Sequence, residues 1–355
     1  MDTRYFSDKV VEWYNLNKRD LPWRETRDPY RVWLSEIILQ QTRVNQGMPY
    51  YLKFLETFPT VHALAAASEH DVLRLWQGLG YYTRARNLHK CARVVVAEYG
   101  GQFPNTYQTL LTLPGIGEYT AAAIASFSFR EPVAVVDGNV FRVLSRVFGI
   151  ETEINSPEGK KEFTALANSL ISKNFPDTYN QAIMEFGALH CVPKNPPCAT
   201  CHFQGACFAA QRDLQAVFPR KAAPKPSRQR HFYYFVMQKG NSLLMQRRET
   251  KDIWHGLYDF PLIERPRPLK TDELLEEITN VLEGWFTIDE VEFLKSYKHI
   301  LTHQVIHAKF ILIKAGKFSL PKDGNLKFYT FKKIYDLPKP VLIVRFLSDY
   351  KNFYS

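Results

Sequence analysis

The sequence predicts a mainly α-helical N-terminal domain followed by an α+β C-terminal domain, and three observations carry that expectation. Helical apolar spacing runs almost unbroken to about residue 210, punctuated by Asp28-Pro29, Phe58-Pro59, Gly100-Gly101 and Ser156-Pro157. The segment from Asp213 to Arg230, DLQAVFPRKAAPKPSRQR, then holds three prolines and five basic residues, the composition of an extended, semi-rigid linker. Beyond it β-branched and aromatic residues come in short runs. HFYYFVMQKGNSLLMQRR carries a hairpin signal at Lys239-Gly240-Asn241, KFILIKAG and LKFYTF repeat the strand pattern, and Thr271 to Glu283 reads as one acidic helix. The expected division is therefore a helical domain over 1–212, a basic linker over 213–230 and an α+β domain over 231–355. A length of 355 residues suits two cores.

Hydrophobic residues at 45% and charged residues at 23% exclude a disordered or fibrous chain. The net charge of +10 points to a polyanionic partner, and its distribution says where. Residues 1–210 carry a net +1, 211–230 carry +5 and 231–355 carry +4, so the salt-dependent grip on a polyanion is expected mostly in the linker and second domain. MDTRYFSDKVVEWY mixes both charge signs and does not read as a signal peptide, and no window of about 18 apolar residues occurs. The expectation is a soluble intracellular monomer without membrane contact, cytoplasmic or nucleoid-associated if the source is bacterial.

Four of the five cysteines, Cys191, Cys198, Cys201 and Cys207, fall in one loop with six, two and five residues between them. Such a set binds zinc or an iron–sulfur cluster. With only one short pair, and with Pro193, Pro196, Pro197 and Gly205 in the longer gaps, the spacing favours a [4Fe–4S] cluster over a single ion. Cys91, alone in HKCARVVV, reads as a packed core thiol.

Leu113-Pro114-Gly115-Ile116-Gly117-Glu118-Tyr119 joins two helical patterns through a glycine turn. Gly115 and Gly117 allow positive φ and leave amide N–H groups free at a helix start, where a phosphate is favoured. Further on, Val133 to Val136 leads into Asp137-Gly138-Asn139-Val140, with Asn139 the expected N-cap of a helix through Phe148 and Asp137 just ahead of it, kept ionised by the helix dipole. Glu36 sits in YRVWLSEIILQQT among Trp33, Leu34, Ile37 and Ile38, where desolvation would raise its pKa and keep a proton for general-acid work. One protonated and one ionised carboxylate are what cleavage of a glycosidic bond needs. Taken alone, each feature has a plainer reading: a helix corner, a second capping residue, a solvated helix-surface glutamate.

In order and spacing, WLSEIILQQTRV, LPGIGEYTAAAI, VVDGNVFRVLSR and the C-x6-C-x2-C-x5-C cluster closely resemble the helix-hairpin-helix DNA glycosylases of the endonuclease III superfamily, and within it the adenine DNA glycosylases, the MutY family. The resemblance covers nearly the whole chain. It implies a helix-hairpin-helix glycosylase domain with a [4Fe–4S] loop over 191–207, a Nudix-like second domain, and hydrolytic removal of adenine mispaired with 8-oxoguanine or guanine in double-stranded DNA. Tyr119 stands where bifunctional relatives carry a Schiff-base lysine, which implies a monofunctional enzyme. The acidic helix that Nudix hydrolases use for magnesium is missing, and Asp272, Glu273, Glu276 and Glu277 do not restore it, so the second domain is expected to bind and not to hydrolyse.

Matching motifs implies roles residue by residue. Glu36 is the acid that protonates adenine at N7, Asp137 stabilises the sugar cation, and Tyr119 and Asn139 flank the reacting nucleotide. Arg19, Trp23 and Arg24 of KRDLPWR form the adenine pocket, while Gln41 and Tyr81 enter the duplex stack beside the lesion. In YKHILTH, Leu301, Thr302 and His303 match the lesion-reading loop; Leu301 replaces an aromatic residue and Thr302 a serine. Trp23 and Tyr81 could instead be core aromatics, and the histidines plain strand residues. The competing functions are a glycosylase/lyase acting on another lesion and a non-catalytic iron–sulfur DNA-binding protein.

Overall fold

The computed structural model describes residues 3–223, 226–282, 286–318 and 325–354; Pro224 and Lys225 of the basic segment and Glu283 of the acidic one lie outside the described residues. Packing divides the chain into two compact units, one of Met1–Ala67 with Arg86–Ala223 and one of Ser68–Ala85 with Pro224–Ser355. No helix among the described residues is long and apolar enough to cross a membrane.

The helices run α1 (Thr3–Asn17), α2 (Pro29–Leu39), α3 (Val44–Thr57), α4 (Val61–Ala66), α5 (Glu69–Leu75), α6 (Thr83–Tyr99), α7 (Tyr107–Leu110), α8 (Glu118–Phe129), α9 (Gly138–Phe148), α10 (Pro157–Leu170) and α11 (Pro176–Leu189). The Asp-Pro and Ser-Pro punctuators prove to be helix starts. Asp28 and Ser156 accept backbone N–H bonds as N-caps, and Pro29 and Pro157 occupy the next position, where no N–H is needed. Helix α8 is apolar nearly all round, and its small residues Ala121 to Ala125 let it lie buried against α2. Helices α1, α9, α10 and α11 close on a second core around Phe6, Trp13, Val143, Leu144, Phe163 and Phe186, which Phe203 and Cys207 from the cysteine loop complete.

Two sequence expectations need correction at the helix starts. Gly115 has φ of 75°, and a Cβ there would lie 2.5 Å from the Asn87 Cβ, so glycine is required. Gly117 is extended, φ −95°, with open space beside it, so only one of the two glycines is left-handed. The N-cap of α9 is Asp137, not Asn139: its backbone is extended and its carboxylate accepts from the N–H groups of Asn139 and Val140. An ionised carboxylate is the stronger acceptor for those N–H groups, and Asn139 becomes a residue of the helix's opening turn.

In the second unit, β1 (Arg228–Val236), β2 (Gln238–Lys239), β3 (Ser242–Arg247), β4 (Tyr258–Asp259) and β5 (Leu262–Arg265) precede α12 (Thr271–Leu282), followed by β6 (Phe286–Ile300), β7 (Gln304–Phe318), β8 (Leu326–Thr330), α13 (Phe331–Asp336) and α14 (Val341–Tyr354). One sheet has the order β5-β1-β7-β6, with β1 parallel to β7 and its other pairs antiparallel; the other joins β2-β3-β4, with β8 on β3. The Gly240-Asn241 turn does form a hairpin, but between the two-residue β2 and β3, while β1 joins the other sheet. One face of the larger sheet buries Tyr233, Phe235, Ile263 and Ile311 beneath Leu274 and Ile278 of α12. The other stacks Phe310 on Phe346 of α14, with centroids 3.9 Å apart. Leading into β1, Phe218 is buried in the core of the helical unit, and Arg230 is buried between Asp252 and Glu264.

The turn at Gly115 yields a direct expectation. Gly115→Ala places a Cβ on a left-handed backbone against Asn87 and lowers unfolding free energy by about 2 kcal/mol, read as a lower urea midpoint by circular dichroism.

Candidate active site

A cavity of about 540 Å³ opens in the helical unit, and seven of the residues singled out from sequence line it: Arg19, Trp23, Arg24, Glu36, Tyr119, Asp137 and Asn139. Packing of α2 on α8 brings Glu36 to Tyr119, whose hydroxyl donates to Glu36 Oε2 at 2.6 Å. Glu36 is buried among the apolar residues that flank it in sequence. Burial raises its pKa, the Tyr119 bond opposes this, the neighbouring charge of Asp137 raises it again, and the outcome is about 7.

Asp137 is half-buried, and desolvation raises its pKa, where the sequence expectation has the helix N-terminus helping to keep it ionised. More groups oppose burial there than at Glu36. The N–H groups of Val140 and Asn139 donate to Oδ1 at 2.8 and 2.9 Å, the Asn139 amide donates to Oδ2 at 2.8 Å, and Arg142 adds a positive charge. Several donors are aimed at one carboxylate and a single hydroxyl at the other, an arrangement that favours the proton on Glu36 over Asp137.

Arg19 and Arg24 line the cavity, but their guanidinium groups are already engaged. Both clasp Glu185 of α11, Arg19 at 2.8 and 2.6 Å and Arg24 at 2.9 and 2.8 Å. Burial would raise the Glu185 pKa, yet these bonds together hold it at about 2. Glu185 therefore shapes the pocket wall, a role that sequence reasoning missed; its signal was a lone acid inside the apolar run AIMEFGAL. Trp23 is buried and packs edge-on to Tyr51 at 5.1 Å, both a core aromatic and a cavity wall.

Arg142 and Arg146 were also missed. They lie four apart in VFRVLSRVF, hence on one side of α9, and both are buried. Arg142 donates to the carbonyls of Gly187 (2.6 Å) and Cys191 (2.7 Å) and to Asn139 Oδ1 (2.8 Å). Arg146 donates to carbonyls of Val192, Pro193, Gln215 and Phe218 and to Cys191 Sγ at 3.4 Å. Among the described residues these partners of Arg146 include no carboxylate. A buried guanidinium without a counter-ion is costly, and anionic sulfur ligands would supply one.

The cysteine loop fits such a group. Burial, and then the charges of Cys191, Cys207 and Cys198, push the Cys201 thiol up to about 11, which puts all four thiols within electrostatic reach of one another. No group of three or more His, Cys, Asp or Glu among the described residues is arranged to hold a single metal ion. The Phe203 N–H directed at Cys201 Sγ, 3.4 Å, suits a thiolate, as does the Arg146 guanidinium at Cys191 Sγ.

The remaining residues lie away from the cavity lining. Gln41, after α2, is exposed with φ of 55°, and Tyr81 is 47% exposed with φ of 48°. Left-handed backbone at non-glycine residues is strained, and at both positions it presents a side chain to solvent. Tyr81 is thus no core aromatic. Within the second unit its hydroxyl hydrogen-bonds Thr302 Oγ1. Leu301, Thr302 and His303 form the turn between β6 and β7, with Thr302 and His303 exposed and Leu301 half-buried.

The helical unit matches the family model of the HhH-GPD superfamily base excision DNA repair proteins over residues 34–172, and the second matches the NUDIX domain model over 233–349. The chain is 31% identical over 356 residues to the adenine DNA glycosylase of Buchnera aphidicola subsp. Baizongia pistaciae, with 99% of each chain covered. It is 35% identical over 360 residues to the Homo sapiens adenine DNA glycosylase, covering 84% of this chain and 66% of that one. Among solved structures, a thermostable thymine-DNA glycosylase shares 31% identity at a TM-score of 0.55, covering 58% of this chain and 95% of its own. A non-covalent endonuclease III–DNA complex shares the fold at 21% identity and a TM-score of 0.52, covering 59% and 96%.

The raised pKa of Glu36 has a consequence for stability. Its folded value of about 7 lies above the unfolded 4.5, so its stabilising contribution is complete below pH 4.5 and is lost as pH rises through 7. Glu36→Gln removes that loss: its unfolding free energy should exceed wild type by on the order of 3 kcal/mol near pH 8, and the gap should close near pH 5 in parallel urea titrations.

Proposed function

Because the chain belongs to the adenine DNA glycosylase family of the HhH-GPD superfamily, we propose that it flips adenine lying opposite 8-oxoguanine or guanine out of duplex DNA and hydrolyses its glycosidic bond. The observation that carries this reading is the pair of carboxylates on one cavity, a buried Glu36 set up to hold a proton near neutral pH and an Asp137 that accepts three hydrogen bonds suited to its anion. Glu36 donates its proton to N7 of the flipped adenine, which makes the base a neutral leaving group. The glycosidic bond breaks with its electron pair going to the base, and the ionised Asp137, fixed by the α9 N–H groups and Asn139, faces the positive charge that develops on the sugar. Glu36, now deprotonated, takes a proton from the water that adds to the sugar carbon. Tyr119 offers no amine, so the sugar–phosphate backbone stays intact.

In this reading residues 1–212 form the catalytic module, 213–230 join it to the rest, and 231–355 recognise the base opposite adenine. Amide groups at the Gly115–Gly117 turn hold a backbone phosphate. Arg19, Trp23 and Arg24 bound the adenine pocket, with both arginines fixed by Glu185. Gln41 and Tyr81 fill the space that the flipped base leaves, and Leu301, Thr302 and His303 read its partner. Cys191, Cys198, Cys201 and Cys207 would hold a [4Fe–4S] cluster. When bound, that cluster supplies a cross-link for the loop and the negative charge that the buried Arg146 lacks.

Single-turnover reactions on duplexes carrying adenine opposite 8-oxoguanine, guanine or thymine test the reading. Adenine should be released from the first two, strands should break only after alkali, and the rate should fall as pH rises above about 7. Asp137→Asn should slow excision on the order of a thousandfold. Strand breaks without alkali would point to the glycosylase/lyase alternative, and DNA binding without base release to a non-catalytic protein.

The metal assignment has its own readout. Cys198→Ser should lower iron and acid-labile sulfide from about four of each per chain and lose the visible absorption of the cluster; a chain that carries zinc and no sulfide would refute it.

A further inference from the structure

The register of the larger sheet in the second unit lines up four basic side chains across its full width. Arg265 of β5 pairs with His231 of β1, His231 with His307 of β7, and His307 with Lys298 of β6. Paired residues project to the same face, so these four form one row, about 14 Å long at ordinary strand spacing. One residue pair further along, on the same face, Lys309 lies between Tyr233 and Ser296 and sits over the Tyr233 ring. Helix α12 covers this face only at its apolar end, over Tyr233, Ile263 and Ile311. The basic end is uncovered: Lys298 and Lys309 are exposed, and His231 and His307 are half-buried.

Negative charge is scarce there. Glu277 reaches in from α12, but it is engaged by Arg265. Lys298 and Lys309 form no ion pair among the described residues, whereas Lys295 and Lys314 on the same strands are paired with Asp349 and Glu290. The two histidine rings stack at 4.8 Å with 12° between their planes, and His307 Nε2 meets Gln229 Oε1 at 2.9 Å. Burial, then His307 and Lys309, holds the His231 pKa below its ordinary 6.5. The groups that face this pair are thus Arg265, Lys298 and Lys309 from the sheet and Glu277 from α12. A stacked pair among cations gains protons readily only when an external anion joins it. The row also leads to the β6–β7 turn, because Ile300, paired with Val305 on this face, is 70% exposed just before Leu301.

We infer that this face, His231, His307, Lys298 and Lys309, with Arg265 held by Glu277 at its edge, is a binding surface for the phosphate backbone of duplex DNA, distinct from the cavity and from the turn that reads the opposite base. The inference rests on the functional reading only in taking duplex DNA as the partner. It gives part of the positive excess of the second domain a place: Arg230, Arg248 and Lys339 are buried and unavailable, whereas Lys298 and Lys309 are exposed side by side on one sheet face. It also makes the grip responsive to pH, since phosphate stabilises a protonated His231 and affinity should rise as pH falls.

The test uses the full-length chain and an undamaged duplex, so that no excision intervenes. Lys298→Ala combined with Lys309→Ala should make the slope of log affinity against log salt shallower by about 2, and Lys298→Glu with Lys309→Glu should weaken binding further. Wild-type affinity should increase between about pH 7.5 and pH 6, and His231→Gln with His307→Gln should flatten that response. Single-turnover excision at saturating enzyme should keep the wild-type rate in all of these variants, because none of the residues lines the cavity. A wild-type salt slope in both lysine variants, with a wild-type pH response in the histidine variant, overturns the surface and leaves the glycosylase reading intact. A wild-type chain that binds duplex DNA but releases no adenine overturns the glycosylase reading and leaves the surface standing.

Discussion

Two buried arginines on one helix hold the catalytic unit together. Arg142 and Arg146 project from the same side of α9, and between them they satisfy carbonyls at the end of α11, through the cysteine loop and in the segment leading to Phe218. The same helix presents Asp137 at its N-terminus. Anything that shifts the cysteine loop therefore pulls on the element that orients the Asp137 carboxylate in the cavity. Gly187 shows how little slack exists, since a Cβ there would lie 2.6 Å from the Asn139 Cβ. A guanidinium suits this work because its five donors lie in a fixed fork, and a lysine could not span the same set of carbonyls.

Burial acts on both carboxylates of the cavity in the same direction, so burial alone cannot divide their labour. The division comes from how many donors each accepts. Asp137 gains two backbone N–H groups because it is the N-cap of α9, and Asn139 adds a third donor from within the opening turn. Glu36 lies mid-helix, where backbone N–H groups are already spent on i−4 carbonyls, and it is left with the Tyr119 hydroxyl. Position along a helix thus sets which acid holds the proton. Across the cavity Glu185 is the opposite case, a buried acid held ionised by two arginines, and it serves as a scaffold.

The second unit solves a different problem. Its larger sheet is covered by α12 on one face and α14 on the other, so its strands are buried on both sides along much of their length. Ion pairs placed inside it, Arg230 with Asp252 and Glu264, and Arg248 with Asp259, keep two buried guanidinium groups compensated.

Much of this was legible in the sequence. Helical periodicity, proline and serine punctuation, and the change to β-rich runs near residue 230 mark the fold, because they reflect local sterics and amphipathic spacing. The cysteine spacing is local as well; the apolar neighbours of Glu36 left both a desolvated and a solvated glutamate open, and packing of α2 on α8 decided for burial. Tertiary structure alone decided the rest. Which residue caps α9, which of the two turn glycines is left-handed, that Glu185 and not a ligand holds Arg19 and Arg24, that Tyr81 meets Thr302, and that four basic residues from four strands share one row all depend on chain segments tens to hundreds of residues apart. The sequence determined the kinds of chemical group present and the local shapes that carry them. Their final charge states and partners were set by long-range packing, because hydrogen bonding and desolvation depend on what surrounds a group in space, which its neighbours along the chain only partly provide.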